Sequence, residues 1–421
     1  MEKHMQSSGV SEVVSGNWKY LGLILLLTIG VYANSLTGEF VYPDDIPGIV
    51  LSDRLDDFTA NLKTFHLQTI VFSALKNIFG VNPLPFHIFS LTLHLTVVIL
   101  AFVLIYKIWG SKVAGIAALI FAVHPVNTEA VTWISGSPYL INAVFLLSSM
   151  ICYVSFRQTG RVGYLVLSFL IYNFALLFSR SPWVLVLPLV LIILDQFILG
   201  KKFSKRLLIN YFNFLVFSIL YLFYYLFEQI NERVGLMNSG IELNQQTLSP
   251  IFASYPYTVY SLLRLYFVPA NLKTYYDGNY ISPLSFVLML LVTLLFVSLI
   301  GILIWKKQRK VSGLLMLLVV LVAPSFSPIK ITWSIAERYL YLGAIFWSVL
   351  IVLSIKRVGI SKKIKWIVFV LIAILFSVRT ITRNNDYSTA IKHSQAAIES
   401  APLSNKPYEN LGNLCFVLAS R

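Results

Sequence analysis

Long apolar runs alternate with short polar connectors along nearly the whole chain. Runs of helix length begin near Leu21, Phe86, Val113, Tyr139, Tyr164, Trp183, Leu207, Phe286, Leu314, Tyr341 and Ile364. A helix satisfies its own backbone polar groups, so about 20 consecutive apolar residues in that form can cross a bilayer. The short alternating strands of a membrane β-barrel are absent from the pattern. The spacing therefore predicts an all-α polytopic membrane protein with about 11 transmembrane helices. One more apolar stretch, residues 255–268, has no room for a separate crossing between the basic connectors at Arg206 and Lys306. It is expected to lie along the outer interface or re-enter, with Tyr255, Tyr257, Tyr260 and Tyr266 at headgroup depth.

Composition agrees with the pattern: 57% of the residues are hydrophobic, 12% are charged, and the mean hydropathy is +0.76. The net charge of +15 changes the picture only through its distribution. Connectors 107–112, 157–161, 201–206, 306–310 and 356–365 carry about half of the Lys and Arg and no acid, while nearly all Asp and Glu lie in the other connectors or the tail. By the positive-inside rule the basic connectors are cytoplasmic, which places the N-terminus inside and the C-terminus outside. The charge reports orientation, and no nucleic-acid partner is implied. The expected division is a cytoplasmic tail (1–18), a membrane domain (19–382) and an extracytoplasmic tail (383–421). The first apolar run reads as an uncleaved signal anchor, and the location as a cell (inner) membrane, or the endoplasmic reticulum membrane in a eukaryote. Cys152 and Cys415 form neither a disulfide framework nor a metal site.

Candidate chemistry gathers in the outer connectors. The first outer loop, residues 35–85, carries Asp44 and Asp45 between Pro43 and Pro47, a turn able to hold both carboxylates near one pocket mouth. Further along the loop, Phe58, Leu62, Phe65, Ile70, Phe72, Leu75 and Phe79 predict an amphipathic helix on the outer leaflet, roofing a cavity. His94, inside a span, reads as a packed core histidine. Pro125 breaks the third run, and freed backbone groups at that depth call for a protein- or water-lined cavity. His124 and Glu129 are therefore expected to face the same cavity as the Asp pair.

Residues 115–131, which include Ala122-Val123-His124-Pro125-Val126-Asn127-Thr128-Glu129-Ala130-Val131, resemble the signature of the transmembrane and tetratricopeptide-repeat O-mannosyltransferase-like family. Three further pieces agree in order. They are Phe40-Val41-Tyr42-Pro43-Asp44-Asp45, the stretch 262–272 ending Pro269-Ala270-Asn271-Leu272, and Ala336-Glu337-Arg338-Tyr339-Leu340-Tyr341-Leu342. The resemblance covers nearly the whole chain. It implies a GT-C-like bundle that transfers a sugar, mannose by family, from a polyprenyl-phosphate donor to a protein hydroxyl or glycan acceptor. Two departures stand out. Ser137-Pro138 replaces the family's Arg and acid after the Ser-Gly step, and Ser179-Arg180-Ser181 keeps the cation of a Ser-Lys-Glu motif but loses its acid. In the tail, Tyr408, Leu411, Gly412 and Cys415 fall at the spacing that opens a tetratricopeptide repeat (TPR). A lone part-repeat cannot bury its apolar face, so residues beyond Arg421 or a protein partner are expected to complete it.

Such a transfer needs a base for the acceptor hydroxyl, cations for the departing phosphate, and a lateral entry for the lipid. Asp44 or Asp45 supplies the base in a single inverting displacement. Arg338 is the first candidate for the phosphate, followed by Arg264, Arg180 and Lys330, because a guanidinium fork matches phosphate oxygens. His124, Glu129, Glu337 and Tyr339 are expected to line the cavity. No motif requires a bound metal, and a divalent cation between carboxylates and phosphate is the one cofactor the chemistry leaves room for. Two other readings stay open: a lipid or solute transporter, and a catalytically inactive scaffold with a TPR tail.

Overall fold

The structure is a computed structural model that describes residues 9–179, 181–201, 205–238, 251–276, 282–326 and 335–419. Every regular element among these residues is a helix. Eight are long and apolar enough to cross a membrane: Trp18–Thr37, Pro83–Trp109, Ile134–Thr159, Val162–Ser179, Leu208–Glu228, Pro283–Trp305, Glu337–Arg357 and Lys362–Tyr387. The other three apolar runs are helical too. One is the pair Ser111–Ala122 and Pro125–Thr132, bent by 54° at the break; the others are the shorter helices Pro182–Ile198 and Arg309–Val320. The protein is an all-helical, multi-pass membrane protein.

Local chemistry sets the ends. Pro83–Trp109 opens with the Asn82 side chain accepting from Leu84 N–H at 3.1 Å, and Pro83 occupies a first turn that needs no amide donor. It stops at Gly110, whose φ of +82° suits glycine. The next helix, Ser111–Ala122, is the axis of the bundle. Its Ala114, Ala117 and Ala118 are fully buried, and these small residues let Pro83–Trp109 and Tyr341–Arg357 pack close on either side. Around the periphery, Phe223, Leu284, Leu295 and Leu375 point outward, as side chains facing lipid do.

At the loop end of the bundle the structure departs from expectation in two places, the first loop and the tail. The predicted single helix of residues 58–79 is two, Phe58–Leu62 and Leu67–Phe79, broken where Phe65 takes a φ of +52°. Polar side chains make the fold-back: Asn61 donates to the Arg54 and Asp57 carbonyls at 2.7 and 2.9 Å, and Ser73 donates to Leu55 O at 2.6 Å. The stretch expected to lie along the outer interface or re-enter is the helix Ile251–Phe267, one face of which packs inward. Its Leu262, Leu265 and Tyr266 are fully buried, and Tyr266 Oη donates to Leu340 O at 3.0 Å. Only glycine fits at position 343, since a Cβ there would lie 1.9 Å from Tyr266 Oη. Finally, the tail helices Ala390–Ser400 and Asn405–Ala419 form a hairpin docked on the first loop. Leu414 is buried with Phe40, Ile46, Ile49 and Phe72, so the first loop covers part of the apolar face expected to need a further repeat or a partner.

Candidate active site

The bent helix pair builds the floor of the site. His124 ends the first arm: its Nδ1 accepts from Val126 N–H at 3.2 Å, which fixes Nε2 as the protonated nitrogen, donating to Tyr266 O at 3.3 Å. Carbonyls freed by the bend are met from elsewhere, Phe121 O by Asn127 Nδ2 at 2.6 Å and Val123 O by Thr380 Oγ1 at 2.8 Å. The imidazole packs edge-on against Trp347 and Phe376, with ring centroids 4.8 and 4.6 Å away. His124 therefore braces the bend inside the core, and the expectation that it lines the cavity is corrected. Both of its nitrogens are used and apolar rings surround it.

The second arm carries Glu129 to the surface of a pocket. One of its carboxylate oxygens accepts from Arg338 N–H at 2.8 Å and the other from Arg338 Nη1, so one residue holds the carboxylate by backbone and side chain together. The guanidinium carbon lies 5.1 Å from the Trp133 ring, 5.1 Å from Tyr339 and 5.9 Å from Tyr139. Tyr339 packs against Trp183 with ring centroids 4.5 Å apart, tilted by 35°, and the pocket wall does not include it, a correction to its expected cavity role. The turn that follows needs Gly136, because a Cβ there would lie 2.6 Å from Glu129 O.

The two aspartates divide. Asp45 is buried: it accepts from Val41 N–H at 3.1 Å, from Ser135 N–H at 2.9 Å, and from Ser135 Oγ. It locks the first loop onto the Ser135-Gly136 turn. Burial pushes its carboxyl up to about 7 against the pull of these three donors, and the charge of Asp44 adds to the rise. Asp44 instead lines the pocket with Glu129 and Arg338. Its carboxyl is also raised above the ordinary range, because burial outweighs the attraction of the Arg338 guanidinium.

Glu337 belongs to a different network. Fully buried, it accepts from Lys273 N–H at 2.7 Å, Tyr276 Oη at 2.8 Å and Arg383 Nη2 at 3.2 Å, and Arg383 pairs also with Asp386 at 2.8 Å. This ties residues 273–276, beyond the helix Ile251–Phe267, to the end of the last span and leaves Glu337 outside the pocket lining, a correction to the expected cavity role. Arg264 is directed away as well, its Nη2 donating to Asn271 O at 2.7 Å. Arg180 and Lys330 lie outside the described residues. Among the described residues, no group of three or more His, Cys, Asp or Glu side chains is placed to hold a metal ion.

The rest of the wall is Pro43 with five residues that carry no expectation from the sequence: Trp133, Thr274, Tyr275, Tyr387 and His393. One signal was available. Arg383, a cation at the acidic end of an apolar run, against the charge rule, marks the span end where the Tyr387 ring lies 5.3 Å from its guanidinium carbon.

Over 94% of its length the chain is 22% identical to protein O-mannosyl-transferase TMTC3 of Homo sapiens, aligned with 49% of that protein. It is homologous to the TMTC protein O-mannosyl-transferases. A second relative, protein O-mannosyl-transferase F38B6.6 of Caenorhabditis elegans, is 22% identical over 93% of the chain and 59% of its own length. Protein O-mannosyl-transferase TMTC1 of Homo sapiens is 32% identical over a shorter piece, 31% of this chain and 17% of the relative. The chain thus spans about half of the length of the TMTC relatives it matches end to end. No protein-family profile and no solved structure matches it.

Proposed function

We propose that this chain is a membrane glycosyltransferase that moves mannose from a polyprenyl-phosphate donor to a hydroxyl of a protein or glycan acceptor. The observation that carries the reading is that Asp44, from the first loop, lines one pocket with the Glu129–Arg338 pair. A base and a phosphate-binding cation are what the reaction requires side by side, and the O-mannosyl-transferase relatives suggest the sugar.

In the proposed step Asp44 removes the acceptor hydroxyl proton as that oxygen attacks the anomeric carbon. The bond to the phosphate oxygen breaks on the opposite side, which inverts the anomeric centre. The lipid phosphate leaves with its new charge facing Arg338, whose guanidinium Glu129 and the surrounding rings hold in one orientation. Asp45 positions the loop and takes no part in proton transfer. The distribution of charged connectors supports an extracytoplasmic site, at a cell membrane or on the lumenal side of the endoplasmic reticulum.

Purified protein given labelled polyprenyl-phosphate mannose and a Ser/Thr-rich peptide tests the reading. Label on the peptide, lost in Asp44→Asn, is the expected result. Transfer that survives the substitution removes Asp44 from the mechanism, and wild-type protein without transfer to peptide or glycan overturns the assignment.

A further inference from the structure

Part of the pocket wall is supplied by the tail, which the sequence presents only as the opening of a repeat. Tyr387 closes the last span, and His393 sits in the first tail helix, Ala390–Ser400. Both line the pocket, exposed to only 1% and 4%. Their placement is built in: Glu39 N–H, five residues before Asp44, donates to Ser388 O at 3.0 Å, and Ala390 N–H donates to Glu39 Oε2 at 3.4 Å. On the far side of the tail hairpin, Asn410 Nδ2 donates to Tyr275 Oη at 2.5 Å.

Two polar atoms in this wall lack a protein partner, Tyr387 Oη and His393 Nδ1, and the neighbouring lining residue Thr274 leaves its Oγ1 in the same condition. Buried hydroxyls and ring nitrogens are nearly always bonded, so such a group of orphans around one pocket marks bonds that a ligand completes. Their chemistry is neutral. Burial, with the nearby Arg383 charge, pushes His393 down to about 3, which leaves an uncharged imidazole at physiological pH. The two rings lie 4.8 Å apart, tilted by 36°. The pocket thus has charged groups, Asp44, Glu129 and Arg338, and a neutral hydrogen-bonding wall. Phosphate and the proton to be removed suit the first, and sugar hydroxyls suit the second.

We propose that Tyr387 and His393 form a subsite for the hydroxyls of the transferred sugar, so that the tail completes the pocket and selects the sugar. This rests on the transferase reading above. The test measures binding rather than turnover, in the full chain, with two probes: a short-chain polyprenyl-phosphate mannose and the same polyprenyl phosphate without sugar. Tyr387→Phe and His393→Phe should each weaken the sugar-bearing lipid about five- to tenfold and leave the sugarless lipid unchanged. His393→Gln, which keeps a neutral hydrogen-bonding group, should recover part of the loss. Equal weakening of both probes would assign the residues to structure alone and overturn the subsite, as would variants that bind like wild type. Wild-type protein that binds neither probe overturns the transferase reading and the subsite together, whereas wild type that binds both equally overturns only the subsite.

Discussion

Arg157–Asp195 and Arg338–Glu129 are both arginine–carboxylate pairs buried in the helix bundle, and they are built for different ends. Around Asp195, Tyr153 and Tyr211 donate to one oxygen at 2.5 and 2.6 Å, and Arg157 Nε donates to the other at 2.9 Å. Three side chains converge on one acid, which is 0% exposed. At Glu129 both oxygens are taken by a single residue, Arg338, and the pair borders a pocket shared with Asp44. Saturation from several elements marks a brace, whereas a charge held from one side beside open space is available for ligand. The same pairing of residue types therefore carries different meanings according to what else reaches it.

Substitutions can break this contrast. The largest effect is expected at Asp44: Asp44→Asn should lower transfer about 10²- to 10⁴-fold, the usual range for a general base, with an unchanged melting temperature. Because the Asp44 carboxyl is held above the ordinary range, wild-type activity should fall on acidification at a higher pH than a free carboxylate would give. A pH–rate profile of the initial rate reads this limb. Asp195→Ala should do the opposite, costing about 3–5 kcal/mol of stability by stranding Arg157, while transfer per folded molecule is retained. Thermal unfolding in detergent, paired with the transfer assay, separates the two.

Smaller changes sharpen the same contrast. Arg338→Lys keeps the charge but loses the guanidinium fork, and should cost about 1.5–3 kcal/mol in transition-state stabilisation, read as kcat/KM. Asp45→Asn should destabilise the first loop by about 1–3 kcal/mol, since an amide donor is forced against Val41 N–H or Ser135. The sign of the pH effect follows from the rise of Asp45 from 3.8 to about 7 on folding. Its contribution to stability is fully present below the free-carboxylate value and is lost as pH rises through about 7. Melting temperatures between pH 4 and 8 should fall more steeply in the wild type than in Asp45→Asn, which keeps only the slope contributed by the raised Asp44 carboxyl. The smallest effect is expected at Tyr211→Phe, about 1 kcal/mol of stability with no change in transfer, because Tyr153 and Arg157 still hold Asp195.

The apolar runs by themselves determined a helical, multi-pass protein, because a backbone among lipid tails has to satisfy its own hydrogen bonds whatever it packs against. The motifs around Asp44, Glu129 and Arg338 were likewise readable, since each is a charge at the edge of an apolar run, and these are the residues that line the pocket together. What the sequence could not decide was direction. Asp44 and Asp45 are neighbours, yet one meets the pocket and the other a buried turn, a choice made by Ser135, ninety residues away. His124 was read as facing a cavity and is held in the core by Tyr266, Trp347 and Phe376, none of them close in sequence. The tail joins the pocket because Glu39 bonds to Ser388 and Ala390 and the tail hairpin buries Leu414 on the first loop. Periodicity reports which residues avoid water, whereas the facing of a polar side chain depends on partners brought together only when the bundle closes.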